Sequence, residues 1–333
     1  MIKPCTILLS TLTLFAVSSC TASTSSITPK DYLATVPIGL QVKPFSAEEK
    51  VMLDDATAIG TSFLGQGVED TVFSPVSYAL AKGMEERKYE PVASITQKAN
   101  LKTEDTAISS CSAIASLHDL DEEDAQKYAE AYVSVFVDSS IESLSQRLST
   151  YLEKEISLPS PLDVAYINCL RLEDSFYNPL LPTRHIFEEK GEIPFASSPA
   201  RYCSFKRTEK WTLLRFALAA TELSLLWPMD GFSLNDIDPS LLYASDLEKD
   251  FASILVPEFA VTGTYFQSSA PGERFMQTAE FSFDRYGVYG DATSISAPTS
   301  SQNPPELSFV VDRPFYFCSS LEGAALYIGS FGK

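Results

Sequence analysis

The chain reads as a mixed α/β protein, on three observations. Met52, Ala56, Ile59 and Phe63 recur at helical spacing, and so do Ile141, Leu144, Leu148, Leu152 and Ile156. Period-two alternation in residues 133–137, 211–216 and 221–227 reads as strands. Near the C-terminus, strand-like runs around Phe281/Phe283 and Phe309–Phe317 flank a long segment, Val288 to Glu306, of mostly Ser, Thr, Ala, Pro and Gly. A loop of that length inside a compact domain is either functional or a linker. Length alone, 333 residues, allows one large domain or two.

Taken in order, the chain opens with an export signal over residues 1–19: Lys3, an apolar core over residues 7–17, then small residues before Cys20. Residues 21–29 are Ser/Thr-rich with nothing to bury, and residues 30–44 carry no clear pattern. The expected domain therefore spans 45–333 behind a tether at 20–44. Ser46-Ala47-Glu48-Glu49 is a capping box opening the first helix, and Ser74 followed by Pro75 caps the second. Residues 85–106 are short and polar. Strand 107–117, helix 119–132, strand 133–137, an amphipathic helix along the 141–156 stripe and strand 164–170 follow. The paired strands 211–216 and 221–227 then lead into a turn at Pro228-Met229-Asp230-Gly231. No later apolar run has the length of a membrane span.

Hydrophobic residues make up 45% of the chain, enough for a sizeable core, and the net charge is −19 with a pI near 4.5. No Lys/Arg cluster offsets that acidity locally, so a nucleic-acid partner is not expected. The two histidines, His118 and His185, lie near no nucleophile motif. Gly60-Thr61-Ser62-Phe63-Leu64-Gly65 misses nucleophile-elbow spacing by one residue. No cysteine pair has zinc spacing and no glycine-rich loop follows a strand. Neither catalysis, nor a metal, nor a cofactor is expected. Cys111, Cys169, Cys203 and Cys318 allow three disulfide pairings that sequence cannot separate, and the apolar runs around three of them favour buried free thiols.

The C-terminal third carries a family resemblance. Phe309-x-x-Asp312-Arg313-Pro314-Phe315-x-Phe317 resembles the F-x-x-D-R-P-F-x-F signature of the serpins, and Ala325-Leu326-Tyr327-Ile328-Gly329 resembles their closing strand. Asp284-Arg285-Tyr286-Gly287 resembles the hinge of the serpin reactive loop, and Pro304-Pro305-Glu306 the turn beyond its scissile bond. Upstream, Phe73-Ser74-Pro75-Val76-Ser77 resembles the opening of the family's second helix, and residues 164–170 its shutter strand. The resemblance covers about residues 45–333. It implies a serpin-like mixed α/β domain with three β-sheets, a large, mostly antiparallel central one, surrounding helices and an exposed reactive loop. It also implies a polar shutter of Ser74, Ser77, Asn168 and Gln277. Phe176 stands where the family has tryptophan, Gln277 where it has histidine, and at least two family helices are shortened or missing. Val17-Ser18-Ser19-Cys20 resembles a bacterial lipobox, which makes Cys20 a lipidation site and the envelope the expected location. The alternative is an ordinary cleaved signal that contains a cysteine.

The loop register follows from burial. With Gly287 as hinge, Val288, Gly290, Ala292, Ser294, Ser296, Pro298 and Ser300 face inward on insertion, and all are small or uncharged. With Gly290 as hinge, Asp291 would be driven into the core, where an unpaired carboxylate is costly. The loop spacing then puts the scissile bond at Ser301-Gln302. The implied function is suicide inhibition of a serine protease, elastase-like because no cation or ring flanks that bond, by a monomer that inserts its cleaved loop as a new strand. The alternative is a non-inhibitory lipoprotein that binds a ligand or partner. Three departures keep it open: the hinge lacks the family's alanines, Gln277 replaces histidine, and Pro298 cannot donate within a central strand.

Overall fold

A computed structural model describes residues 28–67, 69–160, 162–188, 190–270, 273–288 and 306–332. The signal, Cys20, Gly290, Ala292, Ser301, Gln302, Pro304 and Pro305 lie outside the described residues.

The chain begins with β1 (Lys30–Tyr32) and α1 (Ala47–Leu64). The Ser46 hydroxyl accepts from Glu49 N at 3.2 Å, and the Glu49 carboxylate accepts from Ser46 N at 3.0 Å, the capping box read from sequence. A Cβ on Gly60 would lie 2.5 Å from both Ile328 and Phe73, so only glycine lets α1 pack this close to the strands behind it. Next come β2 (Thr71–Phe73), α2 (Pro75–Glu85) and α3 (Tyr89–Lys98). The polar stretch from 85 to 106 thus retains one helix. α2 is buried over most of its length, with Ser74 capping it and Pro75 in its first turn. The chain continues through β3 (Leu101–Lys102), β4 (Thr106–Ser116), α4 (Glu122–Glu130), β5 (Val133–Val137), α5 (Ile141–Leu152) and β6 (Val164–Ser175).

The helical stripe extended to Ile156, but α5 stops at Leu152. Glu153 takes a left-handed conformation (φ 50°), and the Arg171 guanidinium donates to the carbonyls of Leu152 (2.8 Å) and Glu153 (3.1 Å). Ile156 folds back, its N–H donating to Ser149 Oγ at 2.8 Å.

The remaining strands are β7 (Leu181–Phe187), β8 (Gly191–Arg207), β9 (Trp211–Ala217), β10 (Glu222–Pro228), β11 (Glu248–Pro257), β12 (Phe259–Ala270), β13 (Glu273–Asp284) and β14 (Gly287–Val288). β15 (Ser308–Val310), β16 (Phe315–Leu321) and β17 (Ala324–Phe331) close the chain. One sheet runs β1-β5-β4-β6-β14-β13-β12, with β3 beside β4; only β4 and β5 are parallel. The other runs β15-β11-β8-β9-β10-β16-β17-β2, with β7 beside β8. Among the described residues, hydrogen bonding therefore joins the strands into two sheets where three were expected. The cause is β8: one edge pairs with β11 from Phe195 to Phe205, and the other pairs first with β7 over residues 191–197 and then with β9 over residues 204–207.

Part of the stretch expected to be a tether pairs with the fold. Lys30–Tyr32 pairs antiparallel with β5, and Gly39 bridges Leu101. An edge strand held by main-chain bonds needs no apolar alternation, so the pattern could not reveal it. The main core lies between the sheets, where Phe259 meets the rings of Phe281, Phe283, Phe315, Phe317 and Phe331. A second, smaller core joins Leu144, Leu148 and Leu152 of α5 to Ala113, Ala115 and Phe136, so α5 lies across the outer face of the first sheet.

Candidate functional site

The site is the junction between β6 and β13. Both strands are twelve residues long, yet among the described residues the only strand between them is the two-residue β14. Gly287 pairs with Ser175 and Asp284, and Val288 with Asp174 and Phe283. Val288 is 1% exposed and faces the core, the side assigned to it by parity. The turn into β14 is held by Asp284, whose Oδ1 accepts from Tyr286 N (2.7 Å) and Gly287 N (3.2 Å). Gly287 has φ 152°, and a Cβ there would lie 2.1 Å from the Asp174 carbonyl oxygen. Only glycine can make this turn between two packed strands.

Below β14 the facing edges of β6 and β13 are not paired with each other. The direction of the β6 main chain follows from its other neighbour. Ser110 turns its N–H and C=O away from β6, to the side chain of Asn100 (3.2 and 3.0 Å). By antiparallel alternation, Leu170 opposite Ser110 and Asn168 opposite Ser112 turn theirs away from β4, toward the open edge. There the Tyr327 hydroxyl donates to Leu170 O at 2.7 Å, and the Ser77 hydroxyl lies 3.0 Å from Asn168 O and 2.8 Å from Asn168 Oδ1.

Ser74, Ser77, Asn168 and Gln277 are joined in one hydrogen-bonded chain. Gln277 spans the Ser74 peptide unit, Oε1 accepting from Ser74 N (2.8 Å) and Nε2 donating to Ser74 O (2.9 Å). Ser74 Oγ donates to Leu326 O (2.8 Å) and accepts from Ser77 N (3.3 Å). Asn168 Nδ2 then donates to Ser110 Oγ (2.8 Å), Ser112 Oγ (3.0 Å) and, more weakly, Cys111 O (3.3 Å). The chain thus crosses from β13 through α2 to β6 and β4. Sequence reading missed Ser110 and Ser112, whose signal was the run Ser109-Ser110-Cys111-Ser112 in a strand that also carries Ile108, Ala113, Ile114 and Ala115.

It also missed Asp174, at the end of the junction where β14 enters. Its buried carboxylate accepts from Thr106 Oγ1 (2.6 Å), Thr221 Oγ1 (2.6 Å), Thr221 N (2.7 Å) and Ala220 N (3.2 Å). A carboxylate with donors at this number needs no counter-ion. Beside it Phe176 packs on Phe216 and Phe283, and the Arg201 guanidinium sits 4.2 Å above its ring centre. Burial lowers the Arg201 pKa to about 10.

No known family profile matches the sequence, and no curated protein matches it either. Solved structures do match. A highly specific serpin of the insect Tenebrio molitor superposes with a TM-score of 0.69 at 14% identity, over 86% of this chain and 99% of its own. Tengpin, a thermophilic serpin solved in its native state, gives 0.66 at 13% identity, over 91% and 97% of the two chains. This chain has the serpin fold. Human thyroxine-binding globulin, solved with thyroxine, matches at 0.67 and 11% identity, over 85% and 97%.

On the serpin fold, the departures read from sequence acquire physical content. Gln277, in the position expected for histidine, retains one acceptor and one donor and uses both on Ser74. Phe176 keeps the ring but lacks an indole donor, and it is stacked by a cation instead. Between β12 and β13 only residues 271 and 272 intervene, and the two strands pair antiparallel as a hairpin.

Proposed function

We propose that this chain is a serine protease inhibitor of the suicide-substrate type, not itself a catalyst. One observation carries the proposal: a two-residue strand begins a ladder between two twelve-residue strands, and its register points the next residues down a junction that is unpaired among the described residues. A protease that attacks the loop forms an acyl-enzyme. The freed loop then extends β14 before water can release the enzyme. A strand of about a dozen residues flanked on both sides gains on the order of ten hydrogen bonds at ~1 kcal/mol each. That is the scale of a domain's own stability, ~5–15 kcal/mol, and so can distort the tethered protease.

The scissile bond is Ser301-Gln302, and an elastase-like pocket fits it best. Residues 299–303 offer no cation for a buried aspartate and no ring for an apolar slot. Cys20 is the lipid attachment site, and the protein acts as a monomer anchored to the bacterial envelope. Mixing the chain with a panel of serine proteases tests the function. A covalent high-mass adduct with an elastase-type member, and a loop peptide cut after Ser301, are expected. Cleavage without any adduct across the panel would favour the second reading, a non-inhibitory lipoprotein that binds a ligand. The likeness to thyroxine-binding globulin and the position of Pro298 support that reading.

A further inference from the structure

Four cysteines allow three pairings on sequence grounds, and the fold selects among them. Cys203 lies in β8 and Cys318 in β16, with β9 and β10 between them. Neither shares a sheet with the other two. Cys111 and Cys169, in contrast, face each other directly across the β4–β6 ladder. Since Ser110 turns its main chain away from β6, Cys111 and Cys169 form a hydrogen-bonded pair, for which the Cα separation is about 5.5 Å. A disulfide requires roughly 4.4–6.8 Å between Cα atoms, with side chains on one face, and Cβ atoms about 3.5–4.5 Å apart. That Cβ separation is closer than the roughly 5.5 Å of a hydrogen-bonded pair, so closure draws the two strands together at this point. Directly opposed residues meet the second condition by construction. Both thiols are free and half-buried, and both pack against the apolar cluster beneath α5.

We propose that Cys111 and Cys169 are a redox-active pair that closes reversibly into a cross-strand disulfide. Burial raises the Cys169 thiol pKa, and the neighbouring Lys154 and Arg171 partly offset this. The charges of Lys154 and Arg171 thus favour the thiolate that must form, against burial and the facing Cys111. With a small-molecule disulfide as oxidant, one thiolate attacks a sulfur of that disulfide, its S–S bond breaks and one small thiol leaves. The second cysteine then loses its proton and attacks the mixed disulfide, and the second small thiol leaves. Two electrons pass from the cysteines to the oxidant, and the two protons end on the two released thiols. The bond ties β4 to β6 one residue from Asn168, inside the hydrogen-bonded chain described above.

The test equilibrates the full chain, folded, with glutathione disulfide, then quenches with acid, alkylates in denaturant and maps the peptides. The expected product carries a single Cys111–Cys169 link, returns to two alkylated thiols after dithiothreitol, and melts roughly 5 °C or more above the reduced form. Cys111→Ser and Cys169→Ser should each fold and abolish the redox-dependent shift in melting. Full alkylation of both cysteines after oxidation, or links to Cys203 or Cys318 from folded protein, would overturn the proposal.

Discussion

The Tyr327 hydroxyl donates to the Leu170 carbonyl at 2.7 Å, so a side chain of the second sheet occupies a main-chain acceptor on the open edge of the first. Extending the β14 register places residue 292 opposite Leu170, since Val288 is opposite Asp174. In the inserted form the N–H of Ala292 supplies that donor and Tyr327 becomes redundant. Tyr327→Phe should therefore lower the stability of the intact protein by about 1 kcal/mol and leave the cleaved protein unchanged. Equal losses in both forms, measured by denaturant melts, would mean that Tyr327 is merely a core residue.

Asn168 offers a second probe. Its amide bonds Ser77, Ser110 and Ser112, none of which faces bulk water. Asn168→Ala strands the Ser110 and Ser112 hydroxyls in the interior, while Ser77 keeps the main-chain carbonyl of residue 168, so a loss of about 2–4 kcal/mol is expected. Asn168→Asp keeps the acceptor toward Ser77 but replaces the donor toward Ser110 and Ser112, and should fall between. A loss below 1 kcal/mol in Asn168→Ala would show that water replaces the amide.

What the sequence made legible was local or motif-bound. The Ser46 box, the Ser74 cap and the Gly287 hinge depend on residues within a few positions, and each has a physical cause visible at short range. Ser74, Ser77, Asn168 and Gln277 were named together through a resemblance, not through their spacing. Illegible were the contacts made between distant segments. Arg171 ends α5 from nineteen positions away, Asp174 gathers donors from β4 and from the turn before β10, and Tyr327 reaches across from the other sheet. The pairing of β1 rests on main-chain bonds that leave no side-chain pattern. The merging of two sheets depended on the length of β8, which alternation alone did not delimit.

Acid should weaken the helical layer through Glu49. This carboxylate of α1 is buried and accepts from Ser94 Oγ (2.6 Å) and from the Lys98 ammonium, both on α3, and from Ser46 N. Burial alone would raise its pKa, but these hydrogen bonds outweigh it and hold the group below the usual glutamate value. A lowered folded pKa means stabilisation that is complete above the unfolded value, near 4.3, and is lost as pH falls through the folded one. Glu49→Gln should thus be less stable than the natural chain at pH 7, with the gap narrowing on acidification below about pH 4.5. A gap that stays constant from pH 7 to pH 3 would remove Glu49 from the acid response.

The decisive prediction concerns the strand that β14 would become. Its register pairs residue 294 with Asn168 on one side and Gln277 on the other, because Val288 pairs with Asp174 and Phe283. Residue 292 then lies between Leu170 and Ala279, on the inward face that Val288 already occupies. Cleavage anywhere in residues 297–303 should raise the melting temperature sharply, since the edges of β6 and β13, unpaired among the described residues, acquire a partner. Ala292→Arg should leave the intact fold alone and block that rise, for an unpaired guanidinium on the inward face costs several kcal/mol. The same variant should convert an inhibitor into a substrate, cut by the protease without a lasting adduct. Asp291→Arg, one position along and facing solvent, is the control and should behave as the natural chain. If Asp291→Arg blocks the rise and Ala292→Arg does not, the strand enters one residue out of the register set by Gly287.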